Sequence, residues 1–106
     1  MNQIEIDYNN NNKIINANIN ELITIKLKEN PTTGYRWKLN EFDKKILELV
    51  DSKYNALSPG IGGGGMRSFT FNPTEKGKAK IQLTLKREWE KDIEPIDKFI
   101  VFIQTS

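Results

Sequence analysis

The chain has 106 residues, the length of one domain, enough to bury roughly two thirds of its unfolded surface, and a net charge of only +2 from 16 Lys+Arg and 14 Asp+Glu. It contains neither cysteine nor histidine. No Ser-His or Cys-His nucleophile pair can therefore form, no disulfide is needed, and a zinc site would have to be built from carboxylates alone.

Lys and Glu interleave along the chain, whereas a nucleic-acid binder shows a one-sided basic patch. No apolar run approaches the length of a membrane span. Neither nucleic acid nor membrane is expected as a partner. Residues 1–7 carry no basic segment followed by an apolar one. The expected location is cytoplasmic if Met1 is the native start, and lysosomal or secreted if a signal peptide has been removed. Proline in the middle of Asn30-Pro31-Thr32 and Asn72-Pro73-Thr74 disqualifies both as glycosylation acceptors.

Ile4 and Ile6 alternate with polar residues and predict a short first strand. The asparagine run 9–12 suits a turn, and residues 13–17 are expected to pair back as a second short strand. Ile23, Ile25 and Leu27 alternate with Thr24, Lys26 and Lys28, a half-buried strand. Tyr35, Trp37 and Leu39 share one parity on the next strand and are expected to point into one core. Residues 40–54 fit a helical stripe through Phe42, Ile46, Leu49 and Val50. They also fit a turn at 42–45 followed by a strand from about Ile46 to Ser52, and the strand is favoured because a lone helix docks poorly on a sandwich. Residues 55–66 form the longest connection. Strands follow at 66–71 and through Ala79, Ile81, Leu83 and Leu85, with a turn at 72–77 between them; Lys76, Lys78 and Lys80 read as a solvated face. Residues 87–95 make an acidic loop around Trp89. The apolar run 99–103 predicts a final strand buried on both faces or at the sheet centre. This spacing of about seven to eight short strands, with turn chemistry between them, points to an all-β, immunoglobulin-like β-sandwich of Greek-key type.

Three stretches stand out from that scaffold. In Asn30-Pro31-Thr32-Thr33-Gly34-Tyr35, Pro31 fixes its own φ and biases Asn30 to be extended. Gly34 permits a positive φ, and the β-branched threonines carry hydroxyls that can face outward from the tip. Such a loop is rigid and presented. Gly60 through Gly65 satisfies G-x-G-x-x-G, but a strand rather than a helix follows it, so dinucleotide binding is rejected. The glycines are either a flexible connector or a backbone that a partner can approach closely. Trp89 sits among Glu88, Glu90, Lys91 and Asp92 as either a lid on the sandwich edge or an exposed binding anchor. The anchor is favoured because exposed aromatics near an arginine dominate binding energies. The alternating carboxylates 88–94 match no calcium loop and place no acid–base pair across a cleft, so no metal site and no enzyme activity is expected.

Asn30-Pro31-Thr32-Thr33-Gly34-Tyr35, then Gly62-Gly63-Gly64-Gly65, then Arg87-Glu88-Trp89 resemble, in order and spacing, the three loop motifs of the chagasin family, protein inhibitors of papain-like cysteine proteases. Glu88 stands where the family has proline. The resemblance spans the chain and implies a single chagasin-like domain over residues 1–106. It implies a reversible, tight 1:1 inhibitor, a monomer without cofactor, catalytic residue or metal, whose partners are cathepsin L/B-type proteases. The protease-binding residues it implies are Asn30, Pro31, Thr32, Thr33, Gly34, Tyr35, Gly62, Gly63, Gly64, Gly65, Arg87, Glu88 and Trp89. The first loop would enter the cleft with the other two on its flanks. Glu88 is expected to leave its loop more mobile than proline would. A non-inhibitory immunoglobulin-like adhesion or ligand-binding module, presenting a sheet face rather than a loop end, is the alternative.

Overall fold

The alternating segments fold into eight strands. They are β1 (Gln3–Ile6), β2 (Ile14–Ala17), β3 (Leu22–Glu29), β4 (Tyr35–Phe42), β5 (Leu47–Ala56), β6 (Gly65–Pro73), β7 (Gly77–Arg87) and β8 (Asp97–Thr105). The computed structural model describes residues 3–56, 64–90 and 92–106. One four-stranded sheet has the order β1-β3-β6-β5 and the other β2-β8-β7-β4. The chain changes sheet at every connection except β5–β6 and β7–β8, which gives the expected immunoglobulin-like Greek-key sandwich.

Period-two alternation decides which side chains meet between the sheets. Ile23, Ile25, Leu27, Phe69 and Phe71 come from the first sheet. Trp37, Ile81, Leu83, Phe99, Val101 and Ile103 come from the second, and all are buried. Of the trio sharing Trp37's parity, Leu39 is half-buried and packs against the core beside Trp37, whereas Tyr35 is half-buried outside it. Strand β8 lies inside its sheet between β2 and β7. Its apolar run is not buried on both faces, because Ile100 and Phe102 face outward and are half-exposed.

The first two strands depart from expectation. Residues 13–17 do not pair back on β1; β1 runs parallel to β3 and β2 parallel to β8, in opposite sheets. The asparagine run carries the chain from one sheet to the other. A 3-10 turn at Tyr8–Asn10 is closed by a reciprocal cap between Asp7 and Asn10, and Asn12 takes φ 67°. The Asn11 carboxamide oxygen then accepts from Ile100 N at 2.8 Å, while Asn12 N donates to Ile100 O at 2.6 Å. Those bonds fasten the crossing to β8. In the ambiguous stretch, Asp43 builds the turn: its carboxylate accepts from Lys45 N at 3.0 Å and its carbonyl from Leu47 N at 3.0 Å. A strand follows, as favoured, and continues to Ala56.

Register places three connections at one end. Glu29, the last residue of β3, lies opposite Gly65, the first of β6, which lies opposite Ala56, the last of β5. Tyr35, the first of β4, lies opposite Arg87, the last of β7, and Leu85 lies opposite Asp97, the first of β8. The β3–β4, β5–β6 and β7–β8 connections therefore all leave from the same end.

Candidate functional site

The β3–β4 loop is held by its own polar groups. The Asn30 carboxamide oxygen accepts from Thr32 N at 3.1 Å and from the Thr32 hydroxyl at 2.7 Å. The Thr33 hydroxyl donates to Asn30 O at 2.8 Å and accepts from Tyr35 N at 3.3 Å. Pro31 occupies the first position of a 3-10 turn, Pro31–Thr33, where its missing N–H costs nothing, and Gly34 closes the turn at φ 81°. The threonine hydroxyls thus turn in toward the loop instead of outward, because the Asn30 acceptors lie within reach. What the tip presents is Pro31 and the threonines, all exposed, on a frame with few free torsions. Asn30→Ala removes the cap and is expected to cost about 1 kcal/mol of unfolding free energy. Urea denaturation reads it, and an unchanged midpoint would show that Pro31 and Gly34 suffice.

Beneath the loop lies a feature missed from sequence. Glu29 has the inward parity of Leu27, and Arg67 that of Phe69. They pair at the end of the core, Arg67 Nη2 to Glu29 Oε2 at 2.7 Å, with the two side chains 21% and 1% exposed. Arg67 Nε adds 3.1 Å to Oε2, and Trp37 N donates to Glu29 Oε1 at 2.7 Å. The Trp37 indole N–H donates to Lys28 O at 3.0 Å, and the Arg67 guanidinium lies 5.2 Å from the Tyr54 ring centroid. One carboxylate thus ties β3, β4 and β6 together where their loops begin. A charge at a core-parity position on each of two strands was the available signal.

The β7–β8 loop is locked to the first. Arg87 Nε donates to Thr33 O at 3.0 Å, its guanidinium covers the Tyr35 ring at 4.3 Å, and Nη1 meets Glu90 at 3.5 Å. Arg87 is thus a clamp between two loops, and Tyr35 is its platform. Trp89 is 69% exposed, yet one edge of its indole lies against Gly34, where a Cβ would collide with the ring. Gly34 is therefore required twice, for its positive φ and for this contact. Glu88 faces Arg36 at 4.0 Å with both side chains in solvent, and Glu90 N donates to Arg87 O at 3.2 Å. Pro31, Thr32, Thr33, Gly34, Arg36, Glu88 and Trp89 line a shallow cleft of about 380 Å³.

Of the glycine motif, Gly62 and Gly63 lie outside the described residues. Gly64 has open space around it, whereas Gly65 is buried against Tyr54 and the Asn55 carbonyl with no room for a Cβ. Gly65 thus serves the packing of β5 on β6.

Known proteins resemble this chain over nearly its full length. Residues 16–103 match the chagasin family of peptidase inhibitors, I42. Amoebiasin-2 of Entamoeba histolytica is 32% identical over 85 residues, covering 77% of this chain and 68% of that protein. The crystal structure of the cysteine protease inhibitor EhICP2 from Entamoeba histolytica superposes with a TM-score of 0.89 at 25% identity, over 100% of this chain and 97% of that one. PbICP-C, solved in complex with falcipain-2, shares the fold with a TM-score of 0.72 at 16% identity, over 100% and 91%.

Proposed function

This chain belongs to the chagasin family of peptidase inhibitors, and on that premise we propose that it blocks papain-like cysteine proteases by wedging its loop end into their active-site cleft. It is an inhibitor and not an enzyme. The Asn30–Tyr35 stretch leads into the cleft with the Arg87–Trp89 loop on its flank, and the glycine motif would contribute at the other side, where Ala56 and Gly65 bring the β5–β6 connection to the same end. The observation that carries this reading is the Arg87 clamp, which makes two of the three motif loops one rigid body with an exposed indole at its rim. That a protein of the same fold has been captured with falcipain-2 supports it further.

A protease cleft is shaped for extended peptide, so an inhibitor must fill it without presenting a carbonyl in attack geometry. Residues 31–33 are in a 3-10 turn, not extended, and the bonds from Asn30 and Arg87 oppose straightening them. Because those torsions are already fixed, little conformational entropy is lost on docking. The expected interface is of standard size, on the order of 800 Å² per partner. In this geometry Asn30 and Arg87 act by holding the tip, while Pro31, Thr32, Thr33 and Trp89 make the contact.

Titrating active-site-quantified papain against this protein, with a fluorogenic peptide as reporter, tests the proposal. Activity should fall linearly to zero at one equivalent, with the chain intact on a gel afterwards. Full protease activity at micromolar inhibitor, or cleavage between Thr32 and Thr33, would overturn it.

A further inference from the structure

The outer face of the second sheet concentrates positive charge far beyond what the composition suggests. The register of β4, β7 and β8 points Arg36, Lys38, Lys78, Lys80, Lys86 and Lys98 away from the core, and among the described residues of those strands only one carboxylate, Glu41, shares that face. With Glu88, which follows β7 and faces Arg36, six cations against two anions leave +4 on one face of a chain whose total is +2. The first sheet is balanced by contrast. Its outward Lys26, Lys28 and Lys53 are matched by Glu5, Glu48 and Asp51, with Lys26 paired to Glu5 at 2.6 Å and Lys53 to Asp51 at 3.8 Å.

The arrangement works against the sheet itself. Arg36 stands directly opposite Lys86, and Thr84 lies between Lys38 and Lys98 on its two neighbouring strands. Like charges directly across a strand pair are destabilising. Only Arg36 has an ion-pair partner among the described residues, Glu88 at 4.0 Å. An anionic surface laid against the face would remove that repulsion.

Apolar side chains are set among these cations. Ile14, 56% exposed, lies opposite Phe102, and the Lys78 ammonium sits 5.3 Å from the Phe102 ring centroid. Lysines spread in two dimensions around exposed aliphatic and aromatic groups match the charged and apolar layers of a lipid headgroup region. A nucleic acid is served less well, because the cations are spread over three adjacent strands and follow no single backbone track.

We propose that this face docks the protein on an anionic phospholipid leaflet. Among the described residues no helix is long and apolar enough to cross a membrane, so the docking is peripheral. The face runs along β4, β7 and β8, and the β3–β4 and β7–β8 loops leave from their ends, so a molecule docked through Lys78, Lys80 and Lys98 keeps its loop end free. The sequence reads as solvated at Lys78 and Lys80 because the neighbouring cations come from strands distant in the chain.

Co-sedimentation with phosphatidylcholine vesicles, with and without about 30 mol% phosphatidylserine, tests this at low ionic strength. The protein should pellet with the anionic vesicles only and be released as salt shortens the screening length. The triple variant Lys78→Gln/Lys80→Gln/Lys98→Gln should bind about 100-fold more weakly. The variant Lys26→Gln/Lys28→Gln/Lys53→Gln loses the same charge from the other sheet and should bind as wild type. Both variants should keep wild-type papain titrations, and the first should melt no lower than wild type, since it relieves repulsion within the sheet. Equal pelleting with neutral vesicles, equal loss in the two variants, or retention on single-stranded DNA without vesicle binding would each overturn the proposal.

Discussion

Glu29→Ala is expected to lower the free energy of unfolding by about 3–5 kcal/mol, because it leaves the Arg67 charge at the core end without its partner. The carboxylate it removes is 1% exposed and accepts from both Arg67 and Trp37 N. Trp37 N, in the first turn-proximal pairs of β4, loses its acceptor and carries the cost of an unmet buried donor. Arg67 keeps some access to water, at 21% side-chain exposure, which places the loss toward the lower end of that range. Replacing both partners, Glu29→Leu with Arg67→Leu, should recover much of the stability, since two apolar groups of similar size leave no orphaned charge. Urea unfolding of the three variants gives the comparison. A loss below about 1 kcal/mol for Glu29→Ala would show that Arg67 rehydrates freely and that the pair is not the anchor of the loop stems.

Trp89→Ala is expected to weaken papain inhibition by about 2–4 kcal/mol, roughly 30- to 1,000-fold in the inhibition constant, with little change in stability. The indole is 69% exposed in the free protein, so most of its surface is available for burial against a partner. Its position is set in advance by Gly34 on one side and the neighbouring Arg87 guanidinium, 5.8 Å from the ring. Gly34→Ala should reproduce part of the loss, because a methyl there displaces the ring and strains a left-handed backbone. The two changes should then be non-additive in a double-mutant cycle, as expected for residues in contact. Inhibition constants within threefold of wild type for Trp89→Ala would place the binding energy in the 30–34 loop alone.

Much of the site was legible before any coordinates. Pro31 and Gly34 declare a stiff turn with one left-handed residue wherever they stand, since φ restriction and Cβ absence are properties of the residues themselves. The charged surroundings of Trp89 likewise announced an exposed ring. Less legible was how these parts hold one another. Thr32 and Thr33 turn their hydroxyls to Asn30, and Arg87, expected to face a partner, spends its donors on Thr33 O and Glu90. The neighbour of Glu88 was equally illegible: Arg36 is 52 residues away in the chain (88 − 36) and adjacent only across β4 and β7.

The same division holds for the fold. Alternation at 23–27, 66–71 and 79–85 determined strands and their inward faces, because a period of two leaves a side chain only two directions. Turn residues at 30–34 and 72–77 determined where β3 gives way to β4 and β6 to β7. Which strands become neighbours is a long-range matter, governed by how two apolar faces close on each other. Hence β2 joined β8 rather than β1, through bonds from Asn11 and Asn12 to Ile100 that no local pattern encodes. Sequence alone therefore determined the strands, the presented loop and the family motifs. Tertiary structure decided the Glu29–Arg67 anchor, the Arg87 clamp and the cationic face, because each depends on charges brought together by cross-strand register.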